Sequence, residues 1–178
     1  MSGILLVAAT EMELCGRFGL VCGVGPVEAA AVVAAALERS APSACVHVGI
    51  AGGRDLPPCT LVVGAASVYG DLDAAVPVVR HALPDPGLHA AVRRALPDAV
   101  SLPIGTTAAV GTAGPELRVE GMEGFGVLRA CELAGVPAVE LRSISNEIGE
   151  PDRSCWDVAG AVGALSGALE SLLPALRG

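Results

Sequence analysis

The segment 119–153 constrains the fold of this chain more than any other part of the sequence. It reads as a loop, a helix, a short turn, a strand and a second loop. Apolar residues recur in it at three- and four-residue spacing, which predicts a helix over residues 121–134 with one face in a core. Gly135 ends this helix, and the apolar run 138–144 that follows predicts a buried strand.

Two polar residues stand out within this segment. Glu123 lies in the first turn of an otherwise apolar helix, and Asn146 lies just past the end of the buried strand. In an open parallel sheet, ligands bind beyond the carboxyl ends of the strands, and the helix that follows a strand begins at that same edge. We therefore expect Glu123 and Asn146 to meet in one crevice.

The rest of the chain alternates short apolar strands with helices. The predicted strands cover residues 4–9, 19–22, 45–48, 61–68, 101–112 and 138–144. The predicted helices cover residues 27–39, 87–95, 121–134 and 156–173. This alternation is typical of an α/β fold, a three-layer α/β/α arrangement with a mixed, mainly parallel central sheet. With 178 residues, one domain over residues 1–178 is the economical expectation.

Composition argues against several classes of function. The net charge is −8 and no cluster of Lys or Arg is present, which argues against binding nucleic acid through its phosphates. The six cysteines include no C-x-x-C pair, so neither a zinc site nor a disulfide framework is indicated, and we expect no metal or organic cofactor. The start of the chain is not basic and no apolar run reaches about 18 residues, which predicts a cytoplasmic protein without a membrane partner.

Polar and glycine-rich segments also follow other predicted strands. Glu11 and Glu13 follow the first strand, and residues 23–26 and 49–53 supply glycines that let backbone approach a ligand. The sequence has no G-x-S-x-G elbow and no P-loop, and Glu28 stands where the third glycine of a dinucleotide-binding motif belongs. Carboxylates and an amide in a glycine-lined cleft can activate water, hold hydroxyls and hydrogen-bond a neutral heterocycle.

Five short motifs resemble, in the same order, those of the purine nucleoside phosphorylase and nucleosidase superfamily. They are GVGPVEAA at 23–30, HVGIAG at 47–52, YGDL at 69–72, EGMEG at 120–124 and RSISN at 142–146. Within this superfamily the chain is most similar to the futalosine hydrolases, which are nucleosidases of menaquinone biosynthesis. The resemblance implies a nucleoside phosphorylase-like fold, hydrolysis of futalosine to hypoxanthine and dehypoxanthine futalosine, and a homodimer or higher homo-oligomer.

The resemblance also implies roles for individual residues. Glu13 matches the carboxylate that activates the attacking water, and Glu123 matches the one that holds the ribose hydroxyls, with Met122 packing against the sugar. Asn146 takes the position of an aspartate that protonates N7 in adenine-specific nucleosidases. Because an amide offers both a donor and an acceptor, Asn146 suits the 6-oxopurine hypoxanthine better than adenine. Further candidates for substrate contact are Gly49, Ile50, Ala51, Gly52, Thr106, Thr107 and Arg153.

Several alternatives remain open at this point. The chain is shortened near residue 18, where it passes almost directly from the first acidic loop to the next strand, so a catalytically impaired nucleoside-binding module is one alternative. A methylthioadenosine/S-adenosylhomocysteine-type nucleosidase is another. A purine nucleoside phosphorylase would need a cation for phosphate, for which Arg17, Arg54 and Arg142 are candidates. Arg153 fits either a substrate carboxylate or a surface ion pair.

Overall fold

The computed structural model describes residues 3–177, and its strands join one mixed sheet. The strands β1 to β8 are Ile4–Ala8, Leu20–Val21, Ala44–Gly53, Leu61–Tyr69, His81–Ala82, Val100–Thr106, Val119–Gly121 and Ala138–Glu147. The helices α1 to α4 are Pro26–Ser40, Pro86–Ala95, Gly124–Ala134 and Val158–Arg177. The pairs β1–β2, β1–β3, β3–β8, β4–β6 and β6–β7 are parallel, whereas β3–β7, β4–β5 and β4–β8 are antiparallel. The prediction of a mixed, mainly parallel sheet is confirmed.

Part of the sheet closes into a ring. The strands follow the order β2-β1-β3-β7-β6-β4-β5, and β8 pairs with both β3 and β4. The strands β3, β7, β6, β4 and β8 therefore form a closed circuit, and the expectation of an open sheet is wrong here. Each ring strand contributes one buried apolar residue to a common cluster: Ala51, Val62, Ile104, Val119 and Ile144. The pairing of β3 with β8 shifts register between Ala51 and Gly52, where β8 has one extra residue, Ser145, and such a bulge bends the strand that carries it.

Two layers of helices cover the sheet. The helices α1 and α3 pack together on one face, where Val33 and Leu128 are buried. The helices α2 and α4 cover the other face with Val92 and Leu169. This arrangement confirms the three-layer α/β/α prediction.

Helix α4 is the one helix in the described part of the chain that is long and apolar enough to cross a membrane. The stretch Val158–Leu176 has a mean hydropathy of 1.4. Length and composition alone are weak support for a membrane span, because core helices of soluble proteins pass the same test. In this fold Leu165, Leu169 and Leu172 are fully buried in the core that α4 shares with α2.

Three boundaries near the predicted crevice differ from the sequence expectations. Residues 49–53, expected as a loop, are the end of β3, and Asn146 lies inside β8 instead of beyond it. Gly121 belongs to β7, so α3 begins only at Gly124 and Glu123 is its N-cap residue. The physical reason is the ring, because β7 pairs with the end of β3 and β3 pairs with β8 to its last residue.

The shortened region is a tight connection from β1 to β2. A single 3-10 turn, Met12–Leu14, is followed by two left-handed residues, Cys15 at φ 52° and Gly16 at φ 73°. The chain then reaches the two-residue strand β2, and the side chain of Phe18 is fully exposed just before it. The turn that carries Glu13 is therefore complete even though the connection is short.

Gly126 marks the closest approach of α1 and α3. A Cβ atom at this position would overlap the carbonyl oxygen of Pro26 and lie 3.3 Å from the Ala30 amide nitrogen. We expect Gly126→Ala to lower the free energy of unfolding by about 1–3 kcal/mol, because backbone must move to admit the methyl group. Urea unfolding measures this. In the matched control Gly163→Ala in α4, a Cβ meets nothing within 4 Å, so a loss of stability there as large as at Gly126 would contradict the packing argument.

Candidate active site

A cavity of about 220 Å³ opens where β1, β3, β7 and β8 converge on the start of α3. Three carboxylates, Glu13, Glu120 and Glu123, line it together with the amide of Asn146. The apolar part of the lining includes Val24, Ile50, Ala51, Met122, Val110 and Trp156. The structure thus brings Glu123 and Asn146 into one crevice, and it places Glu13 there too despite the short connection that follows it.

Glu13 is held by donors on both sides of its carboxylate. Its Oε1 accepts a hydrogen bond from the Ile50 amide at 3.0 Å. Its Oε2 accepts from the Thr10 amide at 3.0 Å and from the Thr10 hydroxyl at 2.7 Å. The side chain is only 5% exposed. These bonds fix an anionic acceptor at the edge of the cavity, which is the arrangement that a base acting on water requires.

Glu123 is buried beside a cation and a helix terminus. Its Oε1 accepts from the Gly25 amide at 3.2 Å, and its Oε2 lies 3.3 Å from Nη2 of Arg142. Burial raises the pKa of the Glu123 carboxyl above its ordinary value, although Arg142 and the Gly25 amide act in the opposite direction. Gly25 is the N-cap residue of α1, so the positive end of that helix points toward the carboxylate.

Arg142 is the centre of a buried charge cluster. Its Nε donates to Oε1 of Glu140 at 2.8 Å, and its Nη1 donates to the Ile50 carbonyl at 3.4 Å. Its Nη2 contacts Nε2 of His47, whose Nδ1 faces the Val7 carbonyl. Burial alone would lower the pKa of Arg142, but the nearby carboxylates of Glu140, Glu123 and Glu13 outweigh it and raise that pKa.

Two glycines leave the space that this cluster occupies. A Cβ atom at Gly49 would overlap Nη1 of Arg142 and lie 2.7 Å from Oε1 of Glu13. A Cβ atom at Gly124 would overlap both carboxylate oxygens of Glu140. The glycines therefore allow charged side chains to pass directly against the backbone of β3 and of the first turn of α3.

The amide of Asn146 is oriented by its neighbours in β8. Its Oδ1 accepts a hydrogen bond from the Ser145 hydroxyl at 2.7 Å, and its Nδ2 donates to the Glu147 carbonyl at 2.9 Å. An amide can donate two hydrogen bonds and accept two. One N–H and one lone pair therefore remain for a ligand, and both lie on a side chain that is 6% exposed.

Arg153 and Trp156 stand together at the cavity lining. The Arg153 guanidinium lies 5.5 Å from the centroid of the Trp156 ring, within the range of a cation–π contact. The indole Nε1 donates to the Glu150 carbonyl at 3.2 Å, which fixes the ring. No acidic side chain within 4.0 Å of Arg153 is found among residues 3–176, and Arg153 is an exposed residue in the lining of a cavity that also holds carboxylates.

Comparisons with known proteins agree with this geometry. The sequence signature of the Phosphorylase superfamily matches residues 16–173. A futalosine hydrolase from Streptomyces coelicolor is 36% identical over 186 aligned positions, which cover 89% of this chain and 79% of the relative. One from Thermus thermophilus is 30% identical over 180 positions, which cover 85% of this chain and 78% of the relative.

This chain belongs to the phosphorylase superfamily, and within it to the futalosine hydrolase family.

Solved structures show the same fold. A futalosine hydrolase mutant of Helicobacter pylori superimposes with a TM-score of 0.86 at 17% identity, over 98% of this chain and 99% of that one. A 5'-methylthioadenosine/S-adenosylhomocysteine nucleosidase from Colwellia psychrerythraea, in complex with adenine, gives a TM-score of 0.86 at 20% identity, over 98% and 96%. At identities this low the superpositions show the fold alone. They confirm that this member of the futalosine hydrolase family has the nucleoside phosphorylase-like fold.

Three of the predicted substrate contacts do not face the cavity in this family member. The Thr106 hydroxyl accepts from the Phe125 amide at 2.8 Å, and the Thr107 hydroxyl donates to the Ala109 carbonyl and to Glu120. Thr106 is the last residue of β6 and Thr107 follows it. Both threonine side chains are fully buried, and neither lines the cavity. Gly49 lies behind the cavity wall against Arg142, whereas Ile50, Ala51 and Gly52 line it.

Sequence reasoning missed Glu140 and Trp156. Glu140 and Arg142 are two residues apart in a strand predicted to be buried, so they point to the same face, which is a signal for a buried ion pair. The sequence predicts Trp156 as the first residue of the last helix, but it precedes α4 and lines the cavity. Its signal was weak, because the lone tryptophan of the chain carries no spacing pattern.

The raised pKa of Glu123 predicts a pH dependence of stability. A carboxyl whose pKa is higher in the folded state than in the unfolded state binds its proton more tightly when the protein is folded. The protonated carboxyl therefore contributes its full stabilisation below the ordinary pKa of 4.5, and this contribution is lost as pH rises through the pKa of the folded state. We expect the unfolding free energy of the native protein minus that of Glu123→Gln to fall as pH rises from the ordinary pKa to the folded pKa. Urea unfolding at a series of pH values measures it. The control Gly163→Ala removes no titratable group and should differ from the native protein equally at every pH, and a flat Glu123→Gln difference would refute the prediction.

Proposed function

We propose that this chain hydrolyses the N-glycosidic bond of a purine nucleoside, and that its substrate is futalosine, which it converts to hypoxanthine and dehypoxanthine futalosine. The step belongs to menaquinone biosynthesis. The observation that supports this best is the convergence of two buried carboxylates, Glu13 and Glu123, and the Asn146 amide on one cavity. The curated relatives at 36% and 30% identity, which are named futalosine hydrolase, support the choice of substrate.

In this proposal Glu13 is the general base. Its carboxylate is fixed by Thr10 and the Ile50 amide and still borders the cavity. The carbon–nitrogen bond at C1′ breaks through an oxocarbenium-like transition state, as in other glycoside cleavages, while the water held by Glu13 adds its oxygen to C1′ and loses a proton to the carboxylate. The bonding electrons leave with the base, and the hypoxanthine anion takes a proton from solvent.

Glu123 and Met122 hold the sugar. The two oxygens of Glu123 each accept one bond from the protein and retain capacity for the ribose hydroxyls. Met122 lines the same wall and packs against the sugar ring. A carboxylate fixed near the developing positive charge of the sugar also stabilises the transition state electrostatically.

Asn146 selects the base. Its remaining N–H donates to O6 of hypoxanthine, and its remaining lone pair on Oδ1 accepts from N1–H. Adenine presents the opposite pattern at these positions and would leave buried groups unpaired, which is costly. Donation to O6 also spreads the negative charge of the departing base.

The Asn146→Asp variant tests this choice. We expect kcat/KM for the hypoxanthine nucleoside to fall by about 10- to 100-fold, because a carboxylate cannot donate to O6, while cleavage of methylthioadenosine rises relative to it. Steady-state rates of base release on both substrates measure the ratio. The Glu147→Gln variant, which changes an exposed acid next in the strand, should keep the native ratio. Unchanged preference in Asn146→Asp would show that another residue selects the base.

Arg153 completes the proposed substrate site. It is the cation of a cavity whose other charged lining residues are carboxylates, and Trp156 presents a flat apolar face beside it. A planar substituent that carries a carboxylate at the C5′ end of the nucleoside would stack on Trp156 and pair with Arg153. This is the position that the benzoate of futalosine requires.

The positions of the other arginines argue against phosphorolysis. Arg142 is buried among Glu140, Glu123 and the Ile50 carbonyl. Arg17 bonds to backbone and side-chain oxygens of Cys15 and Ser166, and Arg54 bonds to carbonyl oxygens of the 114–117 segment. None of these three guanidinium groups lines the cavity. Water is therefore the nucleophile that this site favours over phosphate.

The deciding experiment is release of hypoxanthine from futalosine in phosphate-free buffer, beside inosine and methylthioadenosine. We expect release from futalosine, no stimulation by added phosphate, and loss of release in Glu123→Gln. Release that depends on phosphate would make the protein a phosphorylase. Preferential release from methylthioadenosine would make it an adenine nucleosidase, and binding without release from any substrate would leave a nucleoside-binding module.

We also propose a homodimer of one-domain subunits in the cytoplasm. An apolar groove of about 490 Å³ lies between α1 and α3, and Val27 and Leu133 beside it are 76% and 72% exposed. Exposed apolar side chains and an apolar groove on the same surface suit a twofold interface, in which Val27 and Leu133 of each copy fill the groove of the other. Light scattering should give twice the mass of one chain, and Leu133→Glu should halve it, whereas Phe18→Glu on the β2 edge should not.

Buried cysteines such as Cys45 and Cys131 suit a reducing compartment, which is the basis for proposing the cytoplasm.

A further inference from the structure

Glu120 has a role in the site that differs from those of the other two carboxylates. Its Oε1 accepts hydrogen bonds from the Thr112 amide at 2.9 Å and the Ala113 amide at 2.6 Å. Its Oε2 accepts from the Gly111 amide at 2.6 Å. The Thr107 hydroxyl lies 3.0 Å from Oε1 and shares its hydrogen with the Ala109 carbonyl. Almost all of the accepting capacity of Glu120 is therefore used by the loop between β6 and β7.

Only a carboxylate can make this set of bonds. Three of the four donors are backbone N–H groups that cannot turn around, and they approach both oxygens of Glu120. A glutamine would place an N–H group opposite one of these amides, so at least one buried donor would be left without an acceptor. Glu120 comes from the three-residue strand β7, which is held between β3 and β6, so its backbone is rigid.

The loop that Glu120 holds, residues 107–113, forms part of the cavity wall. Val110 lines the cavity although it is 45% exposed, so its position depends on the loop and not on core packing. The loop also touches the segment that carries Trp156, because a Cβ at Gly111 would lie 3.2 Å from the Cα of Gly149. Fixing residues 111–113 therefore fixes Val110 in the cavity wall and the contact of the loop with Gly149.

We propose that Glu120 is a positioning residue, whose carboxylate holds the 107–113 loop in the conformation that closes one wall around the nucleoside. It acts through the loop and takes no part in proton transfer, because its lone pairs are already used by the loop. The proposal rests on the proposed function for the nature of the ligand, but the coupling between Glu120 and the loop stands on the contacts alone.

The test compares Glu120→Gln with the native protein in kinetics and in amide hydrogen exchange. We expect KM for the nucleoside to rise about 10- to 100-fold with kcat within a few-fold of native, because the wall is lost while Glu13 and Glu123 stay in place. We also expect the amides of residues 111–113 to exchange much faster, with exchange in β3 and β8 unchanged. The control Glu116→Gln changes an exposed acid next to the same loop and should alter neither quantity.

Other outcomes would overturn the proposal. A fall in kcat at unchanged KM would place Glu120 in the chemical step, and native exchange at residues 111–113 would mean that other contacts hold the loop. Faster exchange throughout the sheet would show a general structural role. If Glu120→Gln does not fold, Thr107→Val serves instead, because it removes one donor to Glu120. This variant must show a smaller rise in KM and a smaller increase in exchange at residues 111–113, and native values of both would refute the proposal. Failure of the native protein to cleave any nucleoside refutes the proposed function only, because the exchange experiment needs no substrate.

Discussion

Replacing Glu13 with glutamine is expected to slow hydrolysis by about 10²- to 10⁴-fold, the usual contribution of a positioned general base. The variant keeps an oxygen that can accept from the Ile50 amide, although its NH2 group can no longer accept from the Thr10 amide. It loses the basicity that removes a proton from water. Glu123 and Asn146, the proposed contacts of the sugar and the base, lie on other elements, so the substrate should still bind.

Single-turnover hydrolysis measures the chemical step of Glu13→Gln, and calorimetry with the intact nucleoside measures its binding. We expect the rate to fall while the dissociation constant changes by less than about tenfold. The matched control is Glu11→Gln, which changes an exposed acid two residues away and should retain the native rate. If Glu13→Gln hydrolyses at the native rate, the base is another group.

Replacing Arg142 with methionine is expected to give the largest loss of stability of any single substitution at the site, about 3–5 kcal/mol. The guanidinium is 1% exposed and contacts carboxylates of Glu123 and Glu140 that are 5% and 0% exposed. Methionine fills much of the volume but leaves two buried acids without their cation. Glu140 retains only the Ser67 hydroxyl among its described side-chain partners.

Urea unfolding at neutral pH measures the loss in Arg142→Met. The matched control is Arg129→Met, since Arg129 pairs with Glu132 on the surface with side chains 30% and 50% exposed. Such pairs contribute about 0–1 kcal/mol. Part of the Arg142→Met loss should return at low pH, because protonated carboxyls no longer need the cation. Equal losses in the two variants would mean that the buried cluster does not depend on its charge balance.

Local patterns predicted most of the elements but not the closure of the sheet. The helices and apolar strands follow from periodicity and from residues such as Gly135 and Pro26 that end or begin a helix. Closure depends on which strand pairs with which, and β8 meets both β3 and β4 through residues far apart in the sequence. No local pattern carries that information. The same tertiary pairing moved the glycines at 49–53 from a loop into a strand.

The sequence predicted the polar centre of the site better than its walls. Glu13, Glu123 and Asn146 stand out because a polar group beside a buried strand needs a reason. The walls depend on loops, and there the predicted contacts Thr106 and Thr107 lie outside the cavity lining, because their hydroxyls bond to the Phe125 amide and to Glu120. A threonine in a Gly-rich stretch looks the same in the sequence whether it faces a ligand or a backbone amide.

The closed ring also determines when the protein can mature during synthesis. Strand β8 is the last ring strand to leave the ribosome, and it carries Glu140, Arg142 and Asn146. Until it pairs with β3 and β4, Glu123 has no cation beside it and the ring cannot close. Such long-range pairing is slow to form. Nascent chains that end before Ala138 should therefore stay sensitive to protease and dependent on chaperones, and the native state should appear only after nearly the whole chain has been made.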